Sequence, residues 1–238
     1  DGSMSKRLSP EKLMEFEIEL PETEQERFQL ADILWSIHKT MSSYEDLIKQ
    51  SDELVKSQFI EMFGDPVTNE KGWETRTLKN VAPENHASIP DKTHYWWLSL
   101  DMIESYSGKI ISKVIVPKDQ IGYSTSTFDN SMVLYSKLRP YLNKVVLPVD
   151  YGYATTELVG LKPDEKYLNK RFFFNLLRSD QFVKYATSIS GGSQMPRMPM
   201  KTLREFNCIL PPLGLQNKFV KFEQQIDKSK FEIEKSLE

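Results

Sequence analysis

Cysteine is almost missing from this chain: Cys208 is the single thiol among 238 residues. An internal disulfide framework is thereby excluded, and the composition fits a reducing compartment, expected here to be the cytoplasm. Cys208 lies in a short apolar strand-like run, which points to a buried small hydrophobe rather than a reactive thiol. No apolar run approaches the roughly 20 residues of a membrane-spanning helix, and nothing near the start reads as a secretory signal. Histidine is nearly as scarce, with His38, His86 and His94 alone. His38 falls among solvated helical positions. His86 and His94 flank a loop that carries Pro90, with no Cys/His cluster at metal-binding spacing.

The motifs of catalysis are missing as well. No P-loop pattern occurs. Gly191-Gly192 lacks the strand and helix frame of a dinucleotide fingerprint. No Gly-x-Ser-x-Gly elbow is present. An adenine methyltransferase needs an Asn/Asp-Pro-Pro-aromatic motif, whereas Pro211-Pro212 follows Leu210. The sequence therefore offers no catalytic constellation, no metal site and no cofactor site of its own.

What is present is a segment that returns about 190 positions later. Leu13-Met14-Glu15-Phe16-Glu17-Ile18-Glu19-Leu20-Pro21, with Gln25 and Phe28, matches Leu203-Arg204-Glu205-Phe206-Asn207-Cys208-Ile209-Leu210-Pro211, with Gln216 and Phe219. Each copy runs from an apolar strand-like stretch through proline into a heptad helix, which implies a modular, pseudo-symmetric chain. In the first helix Leu30, Leu34, Ile37, Met41, Tyr44, Ile48, Ser51, Val55, Gln58 and Met62, apolar but for Ser51 and Gln58, step alternately by four and three, the seam of a left-handed coiled coil. Gly64-Asp65-Pro66 stops it, after a rod roughly 60 Å long. Leu215, Phe219, Phe222, Ile226, Ser229 and Ile233 repeat the pattern near the end. The two helices are expected to pair.

Between them, glycine, proline and serine punctuate short β-rich runs. Strands are expected at Tyr95–Leu100, Ile110–Val116, Ser131–Tyr135, Asn143–Pro148, Thr155–Leu161 and Asn207–Leu210. One amphipathic helix is expected over 167–189, its aromatics turned to the core. The fold class is α+β: a globular mixed domain inserted between two long α-helices that form an antiparallel coiled coil. The expected parts are a tag-like start at 1–8 (Asp1-Gly2-Ser3 before Met4 reads as a cloning scar), the tail of a preceding module at 9–21, a long helix at 22–65, the inserted domain at 67–212 and a second, shortened helix at 213–238.

Net charge is −3, but it is unevenly spread. Residues 11–63 carry thirteen acidic and five basic side chains, whereas 166–204 carry eight basic against Asp180 alone. A chain acidic overall can still turn a basic face to phosphates. Two segments look built for contact. In 134–144, Lys137, Arg139, Tyr141, Asn143 and Lys144 share one strand-turn-strand unit; cations can bond guanine or phosphate, and asparagine can read adenine. The alternative is a hairpin turned at Pro140. In 190–199, glycines allow close approach to a phosphate, and Gln194 and Arg197 supply donors, with Ser193 and the neighbouring Lys201 as further candidates. The alternative there is a flexible connector. Weaker candidates are the loop Tyr123–Ser131 and the pair Thr155-Thr156.

With these pieces together, the chain resembles the specificity subunits of type I restriction-modification systems. The likeness is carried by Leu134-Tyr135-Ser136-Lys137-Leu138-Arg139-Pro140-Tyr141-Leu142-Asn143-Lys144, by the loop at 192–197, by Leu210-Pro211-Pro212-Leu213 with Gln216, and by Met62-Phe63-Gly64-Asp65-Pro66. It implies a target recognition domain at 67–212 that reads one half of a bipartite site in double-stranded DNA. It implies no catalysis in this chain. Methyltransferase subunits would hold S-adenosylmethionine, and a restriction-motor subunit would join through the complex. With one recognition domain where the family has two, the chain looks like a natural half-subunit or a cut piece, and two copies could pair through their helices. A coiled-coil adaptor with an inserted protein-binding domain is the alternative, and an enzyme acting through His86 or His94 a third reading.

Overall fold

The computed structural model describes residues 10, 14–15, 17–192 and 194–236, so the tag-like start and part of the preceding-module tail lie outside the described residues. The described residues fall into two compact units, one within 1–50 and 232–238, the other within 51–231.

Helix α1 (Glu24–Phe63) begins at a capping box. Thr23 Oγ1 accepts from the Glu26 amide at 3.2 Å, and the Glu26 carboxylate accepts from the Thr23 amide at 3.3 Å, so two otherwise orphaned donors are satisfied. The helix ends where Gly64 takes φ +73° and its amide returns to Ile60 O at 2.8 Å, a conformation that glycine adopts without a Cβ penalty. Within the first unit, Leu30, Ile33, Leu34, Ile37 and Met41 remain 39–57% exposed. Ile33, Ile37, Met41 and Tyr44 line a shallow groove beside Ser236.

In the second unit the end of α1 meets helix α6 (Leu213–Lys235) in antiparallel sense. Phe59 and Phe63 pack on Phe219, with ring centroids 5.4 and 5.6 Å apart, while Asp52, earlier on α1, takes the ammonium of Lys230, later on α6. Phe172, on helix α3 (Lys170–Arg178), closes this aromatic cluster at 4.7 Å from Phe63. The expected seam is thus only part of the story: α6 also turns Gln216, Val220 and Glu223 inward. The fully buried Gln216 amide donates to Tyr167 O and Pro211 O and accepts from Asn169 N at 2.8 Å, tying α6 to the start of α3. Arg171 Nη2 donates to Glu223 Oε1 at 3.0 Å, and its Nε lies 2.8 Å from Oε2 but off the hydrogen-bonding line.

Among the described residues the strands form three sheets. β1 (Thr75–Thr77) pairs antiparallel with β9 (Asn207–Ile209), joining the two ends of the inserted domain. Between them come helix α2 (Leu78–Val81), β2 (His94–Leu98), β3 (Val114–Pro117), β4 (Thr125–Phe128), β5 (Val133–Ser136), β6 (Val145–Val146), β7 (Gly152–Thr155) and β8 (Leu158–Leu161), then α3, α4 (Asp180–Ser188) and α5 (Met200–Glu205). One sheet runs β3-β2-β7-β4, with β2 and β7 parallel; another runs β6-β5-β8. Period-two alternation splits the second sheet between two cores. Val133, Tyr135, Val145 and Leu161 face the larger core with α3 and α4, while Leu134, Val146 and Leu158 face a smaller one around Trp96 and Phe128.

Two expected elements divide. The run 155–161 is two strands, because the chain leaves one sheet and enters another at Thr156-Glu157. The helix expected over 167–189 breaks at Ser179, which ends α3 and caps α4: its hydroxyl donates to Leu176 O at 2.8 Å and accepts from Phe182 N at 3.2 Å. Strand β4 and the short β1 were not anticipated. Cys208 is buried as expected, and burial pushes its thiol up to about 12.

Phe219→Ala should cost about 3–5 kcal/mol in urea unfolding of the chain, because it empties the centre of the aromatic cluster. A second prediction concerns pH. Burial raises the Glu223 carboxyl above its usual range, against the pull of Arg171. A carboxyl raised in the folded state favours folding below its unfolded titration and loses that contribution as pH rises through the folded one. The stability of the native chain relative to Glu223→Gln should therefore fall as pH climbs from the acid side through that range; a rise would contradict the assignment.

Candidate nucleic-acid interface

The two contact segments expected from sequence, some 50 residues apart, lie side by side. The Arg139 amide donates to Pro196 O at 2.7 Å, and the Met198 amide to Lys137 O at 2.8 Å. Bridges join Leu138 with Arg197 and Gly191 with Arg197. Gly191 and residues 196–198 are therefore laced into the fold rather than left as a connector. The β7–β8 turn completes the strip: the Lys137 amide donates to Glu157 O at 3.0 Å, and Glu157 Oε1 accepts from Arg197 Nε and Nη2 at 3.2 and 3.1 Å.

The individual side chains differ in what they can reach. Lys137 is half-buried and lines a small cleft of mixed polar and apolar walls. Arg139 is half-buried in the left-handed region at φ +49°, and its Nε has no protein partner among the described residues. Tyr141, Gln194 and Lys201 are exposed, Lys201 on α5. Arg197 is half-exposed but committed side-on to Glu157. Asn143 does something else. It is 7% exposed, sits at φ +49°, and its amide donates to Arg178 O at 3.0 Å. It holds the turn that follows the short 3-10 segment Pro140–Leu142 instead of facing outward. Lys144 reaches Leu100 O at 2.6 Å, and partial burial lowers its pKa. Ser193 lies outside the described residues.

The basic excess of 166–204 is largely used within the fold. Arg171 pairs with Glu223 and Asp227, Arg197 with Glu157, and Arg204 with Glu84. Lys170 donates to Asn130 O. Arg178 donates to Tyr106 O and stacks 4.7 Å over Phe174, and burial lowers its pKa. Lys166, Lys184 and Lys201 stay exposed.

The sequence reading named His86 only as a catalytic alternative and did not place the segment 84–87 beside these contact segments. That segment is stitched to β8 on one side, where the Asn85 amide donates to Gly160 O at 2.9 Å, and to β4 on the other, where the Ala87 amide donates to Thr127 O at 3.2 Å. His86, Thr125, Ser126, Lys137, Thr156 and Met200 thereby come to line one cleft of about 130 Å³. Thr156 and the 123–131 loop carried weak signals; the polar run Glu84-Asn85-His86, close behind Pro83, was the only further clue. Among the described residues no His/Cys/Asp/Glu group could hold a metal ion, and no helix is long and apolar enough to cross a membrane.

A sequence profile of the type I restriction modification DNA specificity domain family matches residues 70–238. The chain belongs to this family. The type I restriction enzyme EcoDI specificity subunit of Escherichia coli is 26% identical over 129 residues, 54% of this chain and 28% of that protein. In fold, this specificity domain superposes on the HsdS subunit of Thermoanaerobacter tengcongensis with a TM-score of 0.56 at 22% identity, over 68% of this chain and 44% of the other. The type I restriction-modification S subunit of M. genitalium gives 0.57 at 13% identity, over 90% and 57%. The chain thus spans between about a quarter and somewhat over half the length of these relatives. The likeness bears out the mixed α+β specificity-domain fold with long helices before and after it.

Asn143→Ala should destabilise the specificity domain by about 2 kcal/mol, since it strands Arg178 O and puts a Cβ-bearing residue without a local hydrogen bond at positive φ. Urea unfolding measures this; an unchanged midpoint together with weakened DNA binding would instead make Asn143 a contact residue.

Proposed function

We propose that this chain is a sequence-specific DNA-binding specificity subunit that reads one half of a bipartite duplex site. The observation that carries the reading is the backbone lacing of 137–139 to 191–198, which makes one surface from two donor-rich segments in a family of DNA specificity domains. Lys137, Gln194 and Lys201, with Arg139 and Tyr141 beside them, would supply phosphate and base contacts. Asn143 and Lys144 would support the turn from behind.

The chain has no catalytic role in this reading and works in the cytoplasm. It positions methyltransferase subunits, which hold S-adenosylmethionine and supply the methyl transfer, and it brings in the restriction-motor subunit through the same complex. The exposed stripe of α1, with Phe28, Ile33, Leu34 and Ile37, would seat a second copy, and two copies would read a split palindrome.

The test is salt dependence. Lys137→Ala and Lys201→Ala should each weaken duplex binding by the assembled methyltransferase across all sequences, and each should flatten the plot of log affinity against log salt by about 0.9 if one phosphate contact is lost. A slope untouched by both changes would move the phosphate contacts to another surface.

A further inference from the structure

We infer that His86 is a specificity-determining residue that reads the edge of one base pair, with Ser126 as its positioning residue. The inference rests on the DNA-binding function proposed above. His86 lies on a segment fixed from both sides. Before it, Glu84 bridges to Leu161 and the Asn85 amide bonds Gly160 O. After it, the Ala87 amide donates to Thr127 O, and Thr127 Oγ1 returns a bond to Ala87 O at 2.8 Å. Glu84 is further held by Arg204, whose Nε donates to it at 2.6 Å. The approach to β8 is close enough to need glycine: a Cβ on Gly160 would lie 3.0 Å from Asn85 O and 2.9 Å from Met132 Sδ.

On this fixed backbone the His86 ring is exposed, and its Nδ1 lies 3.1 Å from Ser126 Oγ. One ring nitrogen is thereby engaged within the protein. The other, Nε2, is left as a single hydrogen-bonding atom whose donor or acceptor role is set by the direction of the Ser126 hydroxyl. A pre-oriented single-atom reader suits a base edge, because base readout depends on the placement of donors and acceptors whereas phosphate attraction does not. His86 stands at the rim of the small cleft it lines, where an exposed ring can meet a base edge. Lys137 and Thr156 line the same cleft. The strip proposed to meet phosphates and the ring proposed to meet a base are thus one continuous surface.

The test uses the chain assembled with its methyltransferase subunits and a library of duplexes randomised across the site, selected at two salt concentrations. The unsubstituted chain should return a consensus. With His86→Ala, one base-pair position of that consensus should lose discrimination on the order of 10-fold, while the other positions and the salt slope stay as they were. Ser126→Ala should loosen the same position with His86 still in place. His86→Gln, which carries an amide to about where Nε2 sits, should change the preferred base there and serves if the alanine variant does not fold. A consensus unaltered by His86→Ala or His86→Gln overturns the proposal, as does a uniform loss of affinity with a flatter salt slope, and either result leaves DNA recognition by the chain standing. An unsubstituted chain that selects no consensus removes the DNA-binding reading and this one with it.

Discussion

Two backbone hydrogen bonds, Arg139 N to Pro196 O and Met198 N to Lys137 O, are the constraint on which the candidate interface depends. They turn a turn-forming hairpin and a glycine-rich loop into one surface. The conformation has a cost, because Arg139 and Asn143 both occupy the left-handed region, where a Cβ crowds the following carbonyl. The cost is offset locally. Pro140 buries itself after Arg139, and Asn143 bonds Arg178 O, anchoring the turn to the end of α3. Glu157 then orients Arg197 from the side, so that the guanidinium keeps a fixed direction in an otherwise polar strip.

The second constraint fixes where the helix leaves the recognition domain. Phe219 sits among Phe59, Phe63 and Phe172, and Gln216 closes three hydrogen bonds inside the domain. This gives a physical meaning to the repeated motif. In the second copy, glutamine and phenylalanine are fully buried; in the first, Gln25 is exposed and Phe28 is 63% exposed. The same residue types that latch a domain in one place stay exposed among the described residues in the other. Strand β9 within the second copy pairs with β1, so the motif also joins the two ends of the inserted domain.

Much of this architecture was legible in the sequence because long helices advertise themselves. The four-three stepping, the stop at Gly64 and the run from Leu213 onward located α1 and α6 to within a few residues. What escaped was what depends on distant partners. Thr125–Phe128 reads Thr-Ser-Thr-Phe, too polar to signal a strand until β7 and the 84–87 segment flank it. Thr156-Glu157 carries no glycine or proline, so the change of sheet left no mark. Charge counting misjudged the basic segment for a similar reason: Arg171, Arg197 and Arg204 find acids 52, 40 and 120 positions away. Asn143 looked like a base reader by residue type, yet asparagine is also a residue that tolerates positive φ, and the turn used it for that. His86 entered only as a catalytic alternative, with no local signal of DNA contact, because its partner Ser126 lies 40 positions on.

Recognition, on this account, comes from a surface that is rigid before DNA arrives, with few free cations and several fixed polar atoms. Such a surface would spend little binding energy on ordering itself. Amide hydrogen exchange of the chain in complex with its methyltransferase subunits tests that claim most directly. The amides of Arg139 and Met198 should exchange slowly without DNA, and a cognate duplex should add protection at 84–88, 156–157 and 194–201. Fast exchange of those two amides in the absence of DNA, or duplex-dependent protection confined to other segments, would contradict it.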